Sequence, residues 1–516
     1  MGDIDFDVLV KVHVTTIAFQ REGFPLARER GFGDVVDEGM TAFVWVCWYG
    51  MSNSSWEGGG LARNEYQSLI LYYIIHSNSL LQLREMEVKA EIVSKSTIKP
   101  SSTTPNKLRH FKLSLIDQLA PPFYVPILLF YSASDATNTK TISQKLKASL
   151  SEVLTLYYPF CGTLRGNSTV ECNDEGVVFT ECRVPMELSS LLKDPDLHQI
   201  NHLFPCDPFN PARETLTGNM AVQLNQFTCG GLALGVCFSH KITDASTASS
   251  FLTSWAATSR GEGNKLILPQ LEEAALVFPP RKIEMSLIRG MMGHKNIVTK
   301  RFVFNRTNIS RLKQKLGSFD FTPTSVEAVT ALIWKSSLEA AKANSEEGKI
   351  PASMISHAVN IRSRMAQTFS EHSMGNLWQQ AVSPVVEVEG EVGLRDLGER
   401  VRETIRKVDG KYLSMVQGDE FYKVMECLKE ARTMVAEKGV PCYSFSSWVR
   451  FGFYETDFGW GKPSYVRTIG VPIKNVVIFM ATKVGDGIEA WITLTSRDMV
   501  HFEKNPELLQ FVSFDS

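Results

Sequence analysis

The sequence predicts an α/β fold built as two domains of similar size joined by a crossover. Two observations carry that reading. Helix-period apolar stretches alternate with short strand-like runs from Met86 onward, and a weakly periodic stretch containing Pro and charge, Leu268 to Lys300, divides the alternation in two. A third observation agrees: 516 residues at 44% hydrophobic and 21% charged suffice for two or three packed cores, and suit neither a disordered nor a membrane-embedded chain.

Residues 1–85 do not share this pattern. They carry the Gly-rich "WEGGG", aromatics in no sustained period, and acidic residues from Asp3 onward that argue against an organelle transit peptide. They also lack a signal-peptide layout. The expectation is an atypical extension derived from a misassigned upstream exon, with the native protein beginning at Met86; a short accessory domain is the competing reading. From Met86, "MEVKAEIVSKSTIKPSSTTP" reads as an alternating strand and a Ser/Thr/Pro loop. Ile142, Leu146, Leu150, Val153, Leu154 and Tyr157 recur at helical spacing, so Thr141 to Tyr157 reads as an amphipathic helix. "STVECNDEGVVFTEC" places turn formers between two alternating runs and predicts a hairpin. "NMAVQLNQFTCGGLALGVCFSH" reads as two strands joined at Gly230-Gly231. After the crossover, "KRFVF" is a strand and "PTSVEAVTALIWKSSLEAAKA" a helix capped by Thr324 or Ser325. The boundaries are then 86–280 for the first domain, 281–300 for the crossover loop and 301–516 for the second domain.

The 54 basic residues nearly cancel the 56 acidic ones, and no run of Lys or Arg could neutralise several phosphates, which excludes nucleic acid as the expected partner. Nine cysteines without any C-x-x-C fit neither a disulfide framework nor a zinc ribbon, and read as reduced thiols of a cytoplasmic protein. The apolar runs Thr41 to Tyr49 and Leu69 to Ile75 fall short of the roughly 18 residues that a spanning helix needs, so no membrane association is expected.

The stretch "GVCFSHKITDASTAS" holds the chemistry. Leu232 to Phe238 is an apolar run of strand length and "ASTASSFLTSWAAT" suits a helix, so His240 lies in the loop between them and Asp244 at the helix start. An aspartate there is explained by N-capping, worth about 0.5–2 kcal/mol. His240 taken alone reads first as an ordinary surface or satisfied histidine. As metal ligands the pair lacks a third partner, since no H-E-x-x-H, Cys pair or carboxylate cluster is near; a serine hydrolase would need a G-x-S-x-G elbow, and none occurs. A single imidazole, however, suffices as general base when an alcohol or amine attacks an acyl carbonyl with a good leaving group, such as a thioester.

A second motif lies far downstream: "DFGWGKP", Asp457 to Pro463. No Gly-rich loop or H-R-D accompanies it, so it is not the kinase D-F-G. The ordered pair of H-x-x-x-D and D-F-G-W-G resembles the plant BAHD family of acyl-CoA-dependent acyltransferases, in the branch that contains vinorine synthase. The resemblance covers 86–516 and includes "LSLIDQ", "YYPFCG", "NIRSRM" and "SSWVRFGFYETDFGWGKP"; Cys161-Gly162-Thr163 departs from the family's Ala-Gly-Arg.

The resemblance implies two chloramphenicol acetyltransferase-like α/β domains with mixed sheets and helices, and an active-site channel between them. It further implies that about 457–485 packs on the first domain despite its late position. Transfer would run from acyl-CoA, by this resemblance acetyl-CoA, to a hydroxyl or amine of a small specialised metabolite, an alkaloid or terpenoid. No cofactor or metal would be bound, and the protein would be a monomer. His240 is the implied general base in a ternary complex, with Ser446 and Trp448 as oxyanion donors. Asp244 would turn from the channel toward an arginine. Arg362 or Arg364 would pair with it or with Asp457, while Phe458, Gly459, Trp460 and Gly461 shape a structural turn. The alternative is a non-catalytic member that binds a metabolite or protein on the same fold.

Overall fold

Leu232–Ser239 is buried along its whole length and reads as a continuous apolar run, the mark of a strand covered on both faces. Its even residues Leu232, Leu234, Val236 and Phe238 join one core, and Ala233 and Cys237 join another. The period of two thus builds two layers around one sheet. The structure, a computed structural model, describes residues 90–133, 139–193, 199–210, 218–283, 296–317, 321–365, 369–387, 390 and 393–513. The chain divides into two units between Met86 and Glu87, and the N-terminal extension lies outside the described residues.

The first sheet contains β1 (Glu91–Ile98), β3 (Tyr124–Tyr131), β6 (Val177–Val184), β7 (Met220–Phe227), β8 (Leu232–Ser239) and β13 (Tyr465–Arg467), in the order β1-β6-β7-β8-β3-β13. Only β6 and β7 run parallel. Helices Thr139–Leu156 and Ala245–Ser259 cover one face, joined to it by Leu146, Leu150, Phe251 and Trp255. Short helical turns at Leu188–Lys193 and Gln199–Leu203 cover the other. There Gly235 has no alternative, because a Cβ would stand 2.2 Å from the Leu203 carbonyl oxygen. A small second sheet holds β2 (His110–Lys112), β4 (Thr163–Arg165) and β5 (Thr169–Glu171) in the order β2-β5-β4.

The hairpin expected around Asn173 to Gly176 does not form. β5 pairs with β2 and β4, while β6 pairs with β1 and β7. The turn formers are real, with Asp174 and Gly176 at positive φ, but they carry the chain from one sheet to another. Asp174 is held there by the backbone and hydroxyl of Thr104.

The second half repeats the plan. β9 (Ile297–Phe304), β10 (Met354–Asn360), β11 (Trp378–Val382), β12 (Cys442–Ser447), β14 (Val476–Ala481) and β15 (Ile488–Thr495) form a mixed sheet ordered β11-β10-β12-β14-β15-β9. Helix Ser325–Ala343, with Leu394–Arg406 and Ser496–Phe502, buries its outer face. Thr324 caps the long helix through a reciprocal bond with Glu327. β9 begins at Ile297, so Ile297 to Lys300 belong to the strand and not to the crossover. Residues 284–295 of that connection lie outside the described ones.

The late segment divides between the halves. After β12 the chain crosses to the first sheet, where β13 pairs with β3, and Tyr131 Oη donates to the Thr456 carbonyl at 2.8 Å. It then returns, so β14, inside the span 457–485, is a strand of the second sheet and not of the first. Its even residues Ile478 and Met480 still reach the first core, whereas Val477 and Phe479 enter the second. One face of β14 therefore looks across the seam.

Candidate active site

β8 ends at Ser239, and the His240 N–H continues the ladder by donating to the Phe123 carbonyl at 2.8 Å. The next four residues turn the chain into helix Ala245–Ser259, whose N-cap is Asp244: its Oδ1 accepts from the Thr247 N–H at 2.8 Å. Strand end and helix cap fix the loop from both sides. The imidazole is half-buried. It lies edge-on to Phe123, ring centroids 5.5 Å apart, and 6.2 Å from the ring of Trp378 at the start of β11. The first sheet thus carries the histidine and the second supplies a wall.

Asp244 is fully engaged elsewhere. Arg362 Nη1 reaches its Oδ2 at 2.7 Å and Nη2 its Oδ1 at 3.1 Å, and the Leu377 N–H donates to Oδ2 at 3.1 Å. Arg362 also donates to the carbonyls of Ser373 and Gly375. Burial alone would raise the Asp244 pKa, but the Arg362 charge and these bonds hold it below the usual carboxylate range. With both oxygens committed, Asp244 neither bonds to the imidazole nor has a lone pair directed at a ligand. Burial lowers the His240 pKa, against the opposing pull of the Asp244 charge, and so favours the neutral ring.

A buried network closes the loop from beneath, and sequence reasoning did not find it. Asn376 Nδ2 donates to the His240 carbonyl at 2.6 Å and to Asp117 Oδ1 at 2.9 Å; its own N–H meets the same oxygen at 2.6 Å. The Trp378 indole donates to Asn376 Oδ1 at 3.1 Å. Asp117 also receives the Ser114 N–H, and burial raises its pKa against these bonds. Beside it, Lys241 donates to the carbonyls of Gln118 and Ala120, both at 2.9 Å. Burial pulls that ammonium down to about 8, against the charge of Asp117. The only sequence signal was the motif "LSLIDQ", whose Asp117 resembles an ordinary helix-cap residue.

The remaining predicted residues separate into two groups. Ser446 and Trp448 lie at the end of β12, and the Trp448 indole donates to Ser446 Oγ at 3.2 Å. They bond to each other and not to His240. Asp457, Phe458, Gly459, Trp460 and Gly461 form a turn against the far end of helix Ala245–Ser259, whose 15 residues place it about 22 Å from the helix start. Asp457 Oδ1 accepts from the N–H groups of Gly459 and Gly461, both at positive φ. Phe458 packs on Trp255 and Trp460 stacks on Phe458. Neither arginine pairs with Asp457. Arg364 instead donates to the carbonyls of Ile405 and Val408, both at 2.9 Å, and Arg260 serves the Asp457 carbonyl.

Fold and site together define a transferase-like architecture, two mixed α/β halves meeting around one imidazole. Residues 88–509 match the family model described as Transferase family. Limonoid 7-O-acetyltransferase of Citrus sinensis is 34% identical over 462 residues, 83% of this chain and 99% of its own. Vinorine synthase of Rauvolfia serpentina is 35% identical over 440 residues, 83% and 99% of the two chains. A vinorine synthase crystal structure superposes with TM-score 0.71 at 33% identity, over 83% of this chain and 99% of that one. The structure of F. graminearum TRI101 complexed with coenzyme A and T-2 mycotoxin shares the fold, with TM-score 0.63 at 18% identity over 78% and 99% of the chains. The chain belongs to the Transferase family, the BAHD acyltransferases. It is an acyltransferase of groups other than aminoacyl groups. Among the described residues, no helix is long and apolar enough to cross a membrane.

Proposed function

We propose that the protein transfers acetyl from acetyl-CoA to a hydroxyl of a plant specialised metabolite, with His240 as general base in a ternary complex. The observation that carries the reading is the half-buried His240 imidazole at the seam, biased toward its neutral form by burial and held by a loop braced through Asp244 and Arg362. Nδ1 is the buried ring nitrogen, which leaves Nε2 to meet the acceptor. The acceptor oxygen attacks the thioester carbonyl carbon as its proton passes to Nε2. The tetrahedral oxyanion then collapses, the C–S bond breaks, and the departing thiolate takes the proton back from the imidazolium.

Ser446 is the proposed oxyanion donor. The Trp448 indole donates to Ser446 Oγ, so the serine hydroxyl keeps its own proton to give and is polarised toward giving it. The relative limonoid 7-O-acetyltransferase supports acetyl as the group and a hydroxyl of a specialised metabolite as the acceptor. Coenzyme A in the TRI101 complex supports the donor. We further place the protein in the cytoplasm as a monomer. The scattered cysteines without any C-x-x-C suit a reducing compartment, and one chain supplies both walls of the site. Incubating the purified protein with acetyl-CoA and an extract of its source tissue, with free CoA and acetylated products followed by mass spectrometry, tests the reading. Tight metabolite binding without release of CoA would favour a non-catalytic binding protein instead.

A further inference from the structure

The inner face of the second sheet has a polar strip that no step above uses. β11 and β12 alternate between half-exposed and buried residues: Trp378, Gln380 and Val382 are half-exposed, as are Cys442, Ser444 and Ser446, while Gln379, Ala381, Tyr443 and Phe445 are buried. Ser446 pairs with Ile478, whose side chain reaches the first core, so the half-exposed face is the one that looks across the seam. A surface between two packed halves that stays half-exposed is the wall of a cleft.

The register arranges this wall in rows. Asn360 pairs with Trp378 beside His240; Ala358 pairs with both Gln380 and Ser446; Ser356 pairs with both Val382 and Ser444. Gln380 Nε2 donates to Ser356 Oγ at 3.0 Å, and Ser356 Oγ bonds to Ser444 Oγ at 2.9 Å. The bonds run in one direction, and Ser444 Oγ also lies 4.0 Å from Cys442 Sγ. With the thiol donating in that contact, the Ser444 hydroxyl keeps a proton to offer, and the Gln380 carboxamide oxygen can accept. Across three strands the floor is about 10 Å wide, and Ala358, Ser356, Ser444 and Ser446 keep it low. That is wider than one extended chain and suits a flat, fused-ring body.

On the reading that this is an acyltransferase of small alcohols, we propose that Gln380 and Ser444, linked through the buried Ser356, form an acceptor subsite for a polycyclic alcohol. The two half-exposed side chains hold a second oxygen of that alcohol, and so select which hydroxyl is presented for acylation. The row of Ser444 lies two residues along the strand from that of Ser446, so the second oxygen stands about 7 Å or more from the reacting one.

The test uses androstanediol and androstanol, which share a ring system and differ by one hydroxyl. Binding is measured by calorimetry, and turnover with acetyl-CoA in parallel, for the parent protein and for Gln380→Leu and Ser444→Ala. The expected result is diol binding at least tenfold tighter than mono-ol binding in the parent. Each variant should lose most of that preference, with KM for acetyl-CoA unchanged. Equal binding of the two alcohols by the parent, or a preference that survives both substitutions, overturns the subsite. A rise in KM for acetyl-CoA with acceptor binding intact overturns it too, because the strip then serves the pantetheine arm. A diol preference lost in the variants, in a protein that transfers no acetyl group, supports the subsite and contradicts the catalytic reading.

Discussion

Arg362 grips Asp244 with two nitrogens, at 2.7 and 3.1 Å, and both side chains are buried. The pair joins the helix cap behind the site histidine to the end of β10 in the other half of the molecule. Removing one partner strands a buried charge, which costs about 3–5 kcal/mol. Arg362→Met should therefore lower unfolding stability in urea by about that much. A loss below about 1 kcal/mol would show that the pair does not brace the loop.

The pH dependence follows from the direction of the His240 shift. The folded pKa lies below the ordinary 6.5, so between those values the unfolded chain binds more protons than the folded one. Stability from this group therefore rises with pH across that window and is complete above it. Activity should follow the neutral ring, with kcat/KM level above pH 6.5 and falling only below it. An acid limb centred above 6.5 would contradict the assignment. Lys241, held at about 8, adds a second window: the unfolded chain binds more protons from there to the ordinary 10.5, and stability from this group rises over that range.

The local parts of the site were legible in the sequence. An apolar run, a polar loop and a capping aspartate are set by near neighbours, and β8, His240 and the helix after Asp244 stand where the spacing placed them. Pairing across the fold was not. Arg362 and Arg364 are equivalent candidates in a string of letters. The turn after Asn360, where Asn360 Oδ1 accepts the Arg362 N–H, gives the two arginines different partners: Arg362 meets Asp244, and Arg364 meets the carbonyls of Ile405 and Val408. The hairpin at Asn173 to Gly176 failed for the same reason: turn chemistry is local, while the strand that a neighbour pairs with is not. Asn376 gave no signal at all, since its value comes from touching Asp117 and His240, both far away in sequence.

Asn376→Ala removes the donor to the His240 carbonyl and one of the two bonds from residue 376 to the buried Asp117. The other, from the backbone N–H, persists, so the loss falls on the side-chain contacts. The expected outcome is a roughly tenfold lower kcat, about 1.4 kcal/mol, with far-ultraviolet dichroism unchanged. An unaltered kcat would release Asn376 from any part in positioning the ring.

Ser446→Ala tests the oxyanion assignment. Loss of one such donor costs about 100- to 1,000-fold in kcat, and a transition-state interaction leaves KM little changed. Trp448→Phe should have a smaller effect in the same direction, because the indole acts through the serine it bonds to. A Ser446→Ala enzyme with normal kcat and raised KM would make Ser446 a binding residue only.

In the proposed reaction one imidazole, that of His240, moves the proton. Its most direct measurement is single-turnover release of CoA from acetyl-CoA, in the presence of an acylated acceptor's parent alcohol, by the parent protein and by His240→Ala. Acetyl transfer by the variant should fall to background while acetyl-CoA still binds with parental affinity. Acetyl transfer by His240→Ala at a rate near that of the parent would contradict it.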